Sequence, residues 1–152
     1  MPTPDALFAP AVGTPFPEMS VATSDGAVVS LRTILPADRA AVVFFMRTSR
    51  CPICRAHLRA LQRMAEAGEL GDAHVVIVVP GAPADARAVQ RITTLQTVAS
   101  TDAHSAVGLG RFLTLQHSGT FVLDPAQRVL ARRTSALPTA SFSRAEIRAA
   151  LA

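Results

Sequence analysis

Two apolar runs constrain this chain more than any other feature: Ala40 to Met46, "AAVVFFM", and His74 to Gly81, "HVVIVVPG". Each is continuously apolar and rich in Val, Ile or Phe, the composition of a strand buried on both faces of a central sheet. Between them lies a segment of helical character. Pro52 follows Cys51, and proline is tolerated at the first helical position because its missing N–H has no intrahelical partner there. The helix therefore begins at Cys51. Cys54, Leu58, Leu61 and Ala65 recur at offsets of four, three and four, which predicts a single apolar stripe with Cys54 turned toward the core. Pro80 and Gly81 end the second strand, and Pro83 opens a second helix through about Leu95 with Val89 and Ile92 inward. Strand, helix, strand, helix is the order of an α/β protein.

The flanking segments fill in around this unit. "EMSVATSDGAVVSLRTI" predicts a β-hairpin about Asp25-Gly26, a dipeptide whose positions tolerate positive φ. "TVAS", Thr97 to Ser100, reads as a short strand. Asp102 is placed to cap a short helix through about Val107 that Gly108 and Gly110 stop. "GTFVLDPAQRVLARR" predicts strand, a turn from Asp124 to Gln127, and strand, with Phe121 and Leu123 on one face. Ser143 and Glu146 have capping-box spacing ahead of a terminal helix. The Pro-rich first seventeen residues are expected to be loosely held.

Length and composition narrow the class. A chain of 152 residues with 49% hydrophobic content buries one sizeable core, so residues 1–152 read as a single domain. No apolar run approaches the ~20 residues of a membrane span, and the N-terminus lacks the basic segment and apolar stretch of a secretory signal. A cytoplasmic protein without membrane association is the expectation. All 15 basic residues are Arg, and with no Trp or Tyr between them they lack the clustered, stacking pattern of a nucleic-acid surface. The nearest approach to a cluster, Arg47, Arg50, Arg55 and Arg59, brackets the cysteines.

Both cysteines of the chain stand in one C-x-x-C motif, Cys51 and Cys54. Two are too few to staple a small secreted fold, and a buried cysteine can act simply as a small hydrophobe. Their spacing beside a βαβ pattern points instead to redox chemistry. A thiol reacts as its thiolate. Cys51 has the helix N-terminus, the adjacent Arg50, and Arg55 on the same helical side to favour an anion, which can bring a thiol from ~8.5 to roughly 3.5–7.5. Cys54, a turn inside on the apolar face, has less of that help. One cysteine is thus expected to attack and the other to resolve. Cys51, Cys54 and His57 leave a closed metal site short of its four ligands, so no metal is expected. His57 reads as a partly exposed helix residue. His104 and His117 lie around the short helix near the site, and the plainer reading of both is solvated loop histidines.

The strand, loop and "CPIC" at a helix start resemble the thioredoxin fold: a mixed central sheet flanked by helices, here with an N-terminal β-hairpin. "TSRCP", Thr48 to Pro52, resembles the T-x-x-C-P core of peroxiredoxins. "AVGTPFPEMSV", "SDGAVVSL", "VVFFMRTSRCPICRAHLRAL", "GTFVLDPAQRV" and "LPTASFSRAEI" resemble, in order, the alkyl hydroperoxide reductase/thiol-specific antioxidant family. That resemblance implies a thiol-dependent peroxidase with Cys51 as the peroxidatic cysteine, Thr48 as the hydroxyl that binds thiolate and peroxide, and Cys54 as a local resolving cysteine. It implies no cofactor, a peroxide or protein disulfide as substrate, an external thiol reductant such as a thioredoxin system, and a monomer or homodimer. The chain departs from the pattern twice. Phe44 stands where typical members have Pro, and Ser118 stands where they carry a second Arg and where a thioredoxin carries its cis-Pro, leaving Arg47 or Arg50 as candidate substitutes. The alternatives are a thioredoxin-like disulfide reductase and, in a non-enzymatic class, a metal-binding or redox-sensing module.

Overall fold

A seven-stranded sheet runs through the computed structural model, which describes residues 10–109, 111–112, 115–135 and 138–152. Its strands are β1 (Ser20–Thr23), β2 (Val28–Ser30), β3 (Ala41–Phe45), β4 (His74–Pro80), β5 (Gln96–Ser100), β8 (Ser118–Leu123) and β9 (Val129–Ser135), in the spatial order β2-β1-β5-β4-β3-β8-β9. β3, β4 and β5 are parallel, and the remaining pairings are antiparallel. The predicted hairpin is β1–β2. A separate two-stranded ladder joins β6 (Arg111–Phe112) to β7 (Leu115–Gln116).

The apolar runs are buried on both faces, as their composition requires. Val43, Phe45, Val76, Val78, Phe121 and Leu123 share one core with Phe16 and Leu31, the latter on the short helix α1 (Leu31–Ile34). Val42, Phe44, Met46, Ile77 and Val79 face the other core, against Cys54, Leu58, Leu61 and Met64 of α2 (Pro52–Glu66) and Ile147 of α5 (Arg144–Leu151). Each large aliphatic or aromatic side chain so buried contributes about 1.5–3 kcal/mol.

Several expectations are corrected. The inward stripe of α2 ends on Met64, and Ala65 is exposed: Met64 follows Leu61 at an offset of three, and its long, flexible thioether reaches back into the core from the flank of the stripe. α3 covers only Pro83–Gln90, so Ile92 is outside the helix and 38% exposed, while Ala86 and Val89 are buried. The Gln90 amide ends the helix by donating to the Thr93 and Leu95 carbonyls, and its oxygen accepts from Thr97 N–H, turning the chain into β5. Asp102 makes no side-chain cap on α4 (Ala103–Ala106); the Ser100 hydroxyl accepts from Asp102 N–H at 3.2 Å and Ala103 N–H at 3.0 Å instead. Ser143 accepts from Glu146 N–H, but the Glu146 carboxylate pairs with Arg133 at 3.1 Å.

The N-terminal segment differs from expectation as well. Gly13 N–H donates to Val129 O, Phe16 N–H donates to Gln127 O, and Phe16 packs edge-on to Phe121 at 5.3 Å. An aromatic in a core needs a fixed backbone, which the proline count alone does not reveal. Residues 1–9 lie outside the described residues, as does Gly110.

Candidate active site

β3 delivers the chain to the site. Met46 N–H donates to Val78 O at 2.9 Å, continuing the sheet past the last ladder position, and residues 47–50 then form the loop before α2. Cys51 N–H donates to Thr48 O at 3.4 Å, closing a turn. Arg50 N–H donates to the Thr48 hydroxyl at 3.3 Å, so that hydroxyl keeps its own proton for another acceptor. Arg55 donates through Nε to Ser49 O at 3.0 Å, bracing the loop from the first turn of α2. Behind it the Ser49 hydroxyl donates to Asp85 at 3.4 Å, and Asp85 also accepts from Ala82 N–H. Gly81, at φ +123, is required there: a Cβ at that position would collide with the Asp85 carboxylate.

Cys51 is the N-cap of α2, and its Sγ accepts from Cys54 N–H at 3.3 Å. The sulfur thus takes one of the otherwise unpaired N–H groups of the helix's first turn. Cys51 opens to an apolar surface pocket of about 260 Å³ lined by Arg47, Thr48, Arg50, Cys51 and Pro52. The structure thus gathers Cys51, Thr48, Arg47 and Arg50 around one opening. Arg47 is half-buried, and its Nε–H is enclosed with no hydrogen-bond partner among the described residues.

Cys54 is fully buried, whereas Cys51 keeps a small exposed edge, and both thiols are free of a disulfide. The Cys54 Sγ accepts from Arg47 N–H at 3.3 Å. Burial pushes this thiol up to about 12, reinforced by its hydrogen bond with Cys51, while the Arg47 N–H acts in the opposite direction. Cys54 faces the core as its place on the apolar stripe predicts, so one sulfur lies at a mouth and the other on a floor.

Ser118 lies on the neighbouring strand. Phe45 pairs with Gly119, so Ser118 falls beside Met46 at the cysteine end of the sheet, with its hydroxyl buried and, among the described residues, unpartnered. Among the described residues there is no cis peptide bond, so Ser118 does not reproduce the geometry of a cis-Pro. Phe44, inside β3, packs edge-on against Phe142 at 6.2 Å and His57 at 6.0 Å. His57 in turn stacks on Phe142 at 4.9 Å, and its burial lowers its pKa. No cluster of three or more His, Cys, Asp or Glu able to hold a metal ion occurs among the described residues.

His104 departs from the expectation of a solvated loop histidine. His104 is buried within α4, not solvated, and its Nε2 lies 2.7 Å from Met46 O. The partners are 58 residues apart, and no local pattern links them.

A profile of the AhpC/TSA family matches residues 12–132. The chain belongs to the AhpC/TSA family. Solved structures share this peroxiredoxin-like thioredoxin fold at low identity. Peroxidoxin BcpB from Mycobacterium tuberculosis is 19% identical, with a TM-score of 0.77 over 93% of this chain and 96% of that one. Reduced Prx3 from Vibrio vulnificus, in complex with hydrogen peroxide, is 18% identical, with a TM-score of 0.77 over 93% of this chain and 99% of that one. Thiol peroxidase from Chromobacterium violaceum is 13% identical, with a TM-score of 0.75 over 89% and 82% of the two chains. No curated relative matches the sequence. In this AhpC/TSA protein no helix among the described residues is long and apolar enough to cross a membrane.

Proposed function

We propose that this protein is a thiol-dependent peroxidase in which Cys51 attacks hydrogen peroxide or an organic hydroperoxide and Cys54 resolves the product. The observation that carries the reading is the setting of Cys51: a sulfur at a helix N-cap, opening to a pocket it shares with Thr48 and Arg47. The Cys51 thiolate attacks one peroxide oxygen. The S–O bond forms as the O–O bond breaks, and the departing oxygen leaves as water or alcohol after taking a proton. Thr48, whose oxygen has one lone pair engaged by Arg50 N–H, donates its proton to the thiolate and accepts from the incoming hydroperoxide with the remaining pair. Arg47, with an unpartnered Nε–H, serves the breaking O–O bond as the second cation in place of the family arginine at position 118. Arg50 contributes its N–H and charge at the rim, and Arg55 holds the loop through Ser49.

The sulfenic acid on Cys51 then condenses with Cys54, releasing water, and an external thiol reductant such as a thioredoxin system returns the disulfide to the dithiol. The reaction calls on no cofactor, and a monomer or homodimer working in the reducing cytoplasm fits it. The C-x-x-C pair on one helical turn favours a second reading, a disulfide reductase acting on proteins. Stopped-flow mixing of the reduced protein with hydrogen peroxide and with an organic hydroperoxide separates the two. Second-order oxidation of Cys51, much faster than that of a free thiol, is expected. Reaction at the free-thiol rate with both peroxides, alongside rapid reduction of a protein disulfide, would establish the reductase instead.

A further inference from the structure

The Met46–Arg47 peptide unit joins two groups that nothing in the functional reading connects. Its N–H donates to Cys54 Sγ at 3.3 Å, and its carbonyl lies 2.7 Å from His104 Nε2. A carbonyl can only accept, so Nε2 carries the hydrogen and donates. The imidazole is held for that task. His104 is buried, its ring stands edge-on to Phe45 at 5.1 Å, its backbone oxygen accepts from Leu109 N–H at 2.8 Å, and Ser100 caps the helix it sits on. Hydrogen bonds in series through one peptide polarise each other, because electron density drawn toward the carbonyl oxygen makes the N–H a stronger donor.

We propose that His104 is a positioning residue for the resolving cysteine, acting through the Met46–Arg47 peptide to hold and strengthen the N–H that stabilises negative charge on Cys54 Sγ. The need for such help is specific to this sulfur. Burial makes the Cys54 thiol reluctant to ionise, yet it must carry negative charge whenever it attacks Cys51 or leaves it. In resolution the Cys54–Cys51 S–S bond forms, the Cys51 S–O bond breaks, and the Cys54 proton departs with the hydroxide as water. In reduction an external thiolate attacks Cys51, and Cys54 leaves with the electron pair of the broken S–S bond. Both transition states place charge where the Arg47 N–H points. Cys51 receives its own N–H from Cys54, so the His104 route bears on one sulfur of the pair.

The inference rests on the pair cycling through a disulfide, and its test dispenses with peroxide. A chromogenic aromatic disulfide is mixed with the reduced protein under stopped flow. Attack by Cys51 releases one aromatic thiolate and leaves a mixed disulfide; attack by Cys54 on the Cys51 sulfur releases the second. His104→Phe keeps an aromatic ring and removes the donor, and His104→Gln keeps a side-chain N–H donor. In His104→Phe the ratio of the second rate constant to the first is expected to fall about fivefold, the size of one modest hydrogen bond, and His104→Gln is expected to recover most of it. Slowing of both phases in equal proportion would overturn the proposal, since it would mean a generally loosened site. An unchanged ratio in His104→Phe, or an equal fall in both variants, would overturn it too. A wild-type protein that reacts in two phases with the disulfide but only at the free-thiol rate with peroxides would overturn the peroxidase reading and leave this one standing.

Discussion

The mouth and the floor of the site are built from adjacent residues with opposite physical logic. At the mouth, Thr48 to Cys51 is a turn held by short-range bonds: Cys51 N–H to Thr48 O, Arg50 N–H to the Thr48 hydroxyl, and the Arg55 strut to Ser49. At the floor, Cys54 is enclosed by the core beneath β3, and its one backbone donor belongs to a peptide that β3, β4 and α4 position together. Sulfur at a helix N-terminus with an open side is arranged to react, and sulfur in an apolar layer is arranged to keep its proton. The difference of three residues in sequence is thus a difference between two dielectric environments. In the proposed mechanism this C-x-x-C pair divides labour because a helical turn spans that boundary.

The comparison breaks most completely if the sulfurs can be exchanged. Cys51→Ser is expected to reduce peroxide consumption to the background without protein. Cys54→Ser should still consume one equivalent of peroxide and then accumulate sulfenic acid on Cys51, detectable by mass spectrometry after trapping. If Cys54→Ser loses the first turnover and Cys51→Ser keeps it, mouth and floor have been assigned in reverse.

A smaller effect, confined to the mouth, comes from Thr48. Thr48→Val preserves shape and removes both the donated and the accepted hydrogen bond. Loss of such positioned donors costs on the order of 100-fold in rate, so the second-order rate constant with peroxide should fall by about that factor, with little change toward a small aromatic disulfide. Unchanged peroxide kinetics would remove Thr48 from the chemistry.

A further effect is confined to the floor and is read in stability alone, leaving turnover at neutral pH untouched. The folded-state value of Cys54 is raised from an ordinary 9.0 to about 12. A raised value means that the native state keeps a proton which the unfolded chain loses. The corresponding stability is complete below about pH 9 and is lost as pH rises toward about 12, by on the order of a few kcal/mol. Urea unfolding of the reduced protein across this range should show the decline, and Cys54→Ala should remove most of it. An equally steep decline in Cys54→Ala would place its source elsewhere.

Much of this architecture is legible in the sequence because the signals are local and strong. Continuous Val, Ile and Phe at residues 41–45 and 74–80 cannot be satisfied at a surface, so they mark central strands. Asp25-Gly26 marks a hairpin, and a proline directly after Cys51 marks a helix start. The weaker signals failed where tertiary partners compete with local ones. Asp102 has the side chain of an N-cap, yet it makes no cap, and the Ser100 hydroxyl, at the end of a buried strand, takes the Asp102 and Ala103 N–H groups that open the helix. Glu146 has capping-box spacing but is drawn to Arg133 on β9. The pattern from Pro83 onward suggests a longer helix than the Gln90 side chain permits.

By itself the sequence determined the α/β order, the reactive loop, and the placement of both cysteines on one turn of a helix, because each follows from neighbours a few residues apart. Only the tertiary structure decided that Cys54 is sealed in the core while Cys51 reaches a pocket. It also gave Arg47 an enclosed and unpartnered Nε–H, and set Ser118 beside Met46. His104, 58 residues from the carbonyl it meets, shows the reason most plainly. A hydrogen bond of that span exists only after β3, β4 and β5 have packed and Ser100 has anchored α4 behind them, and no periodicity along the chain encodes it.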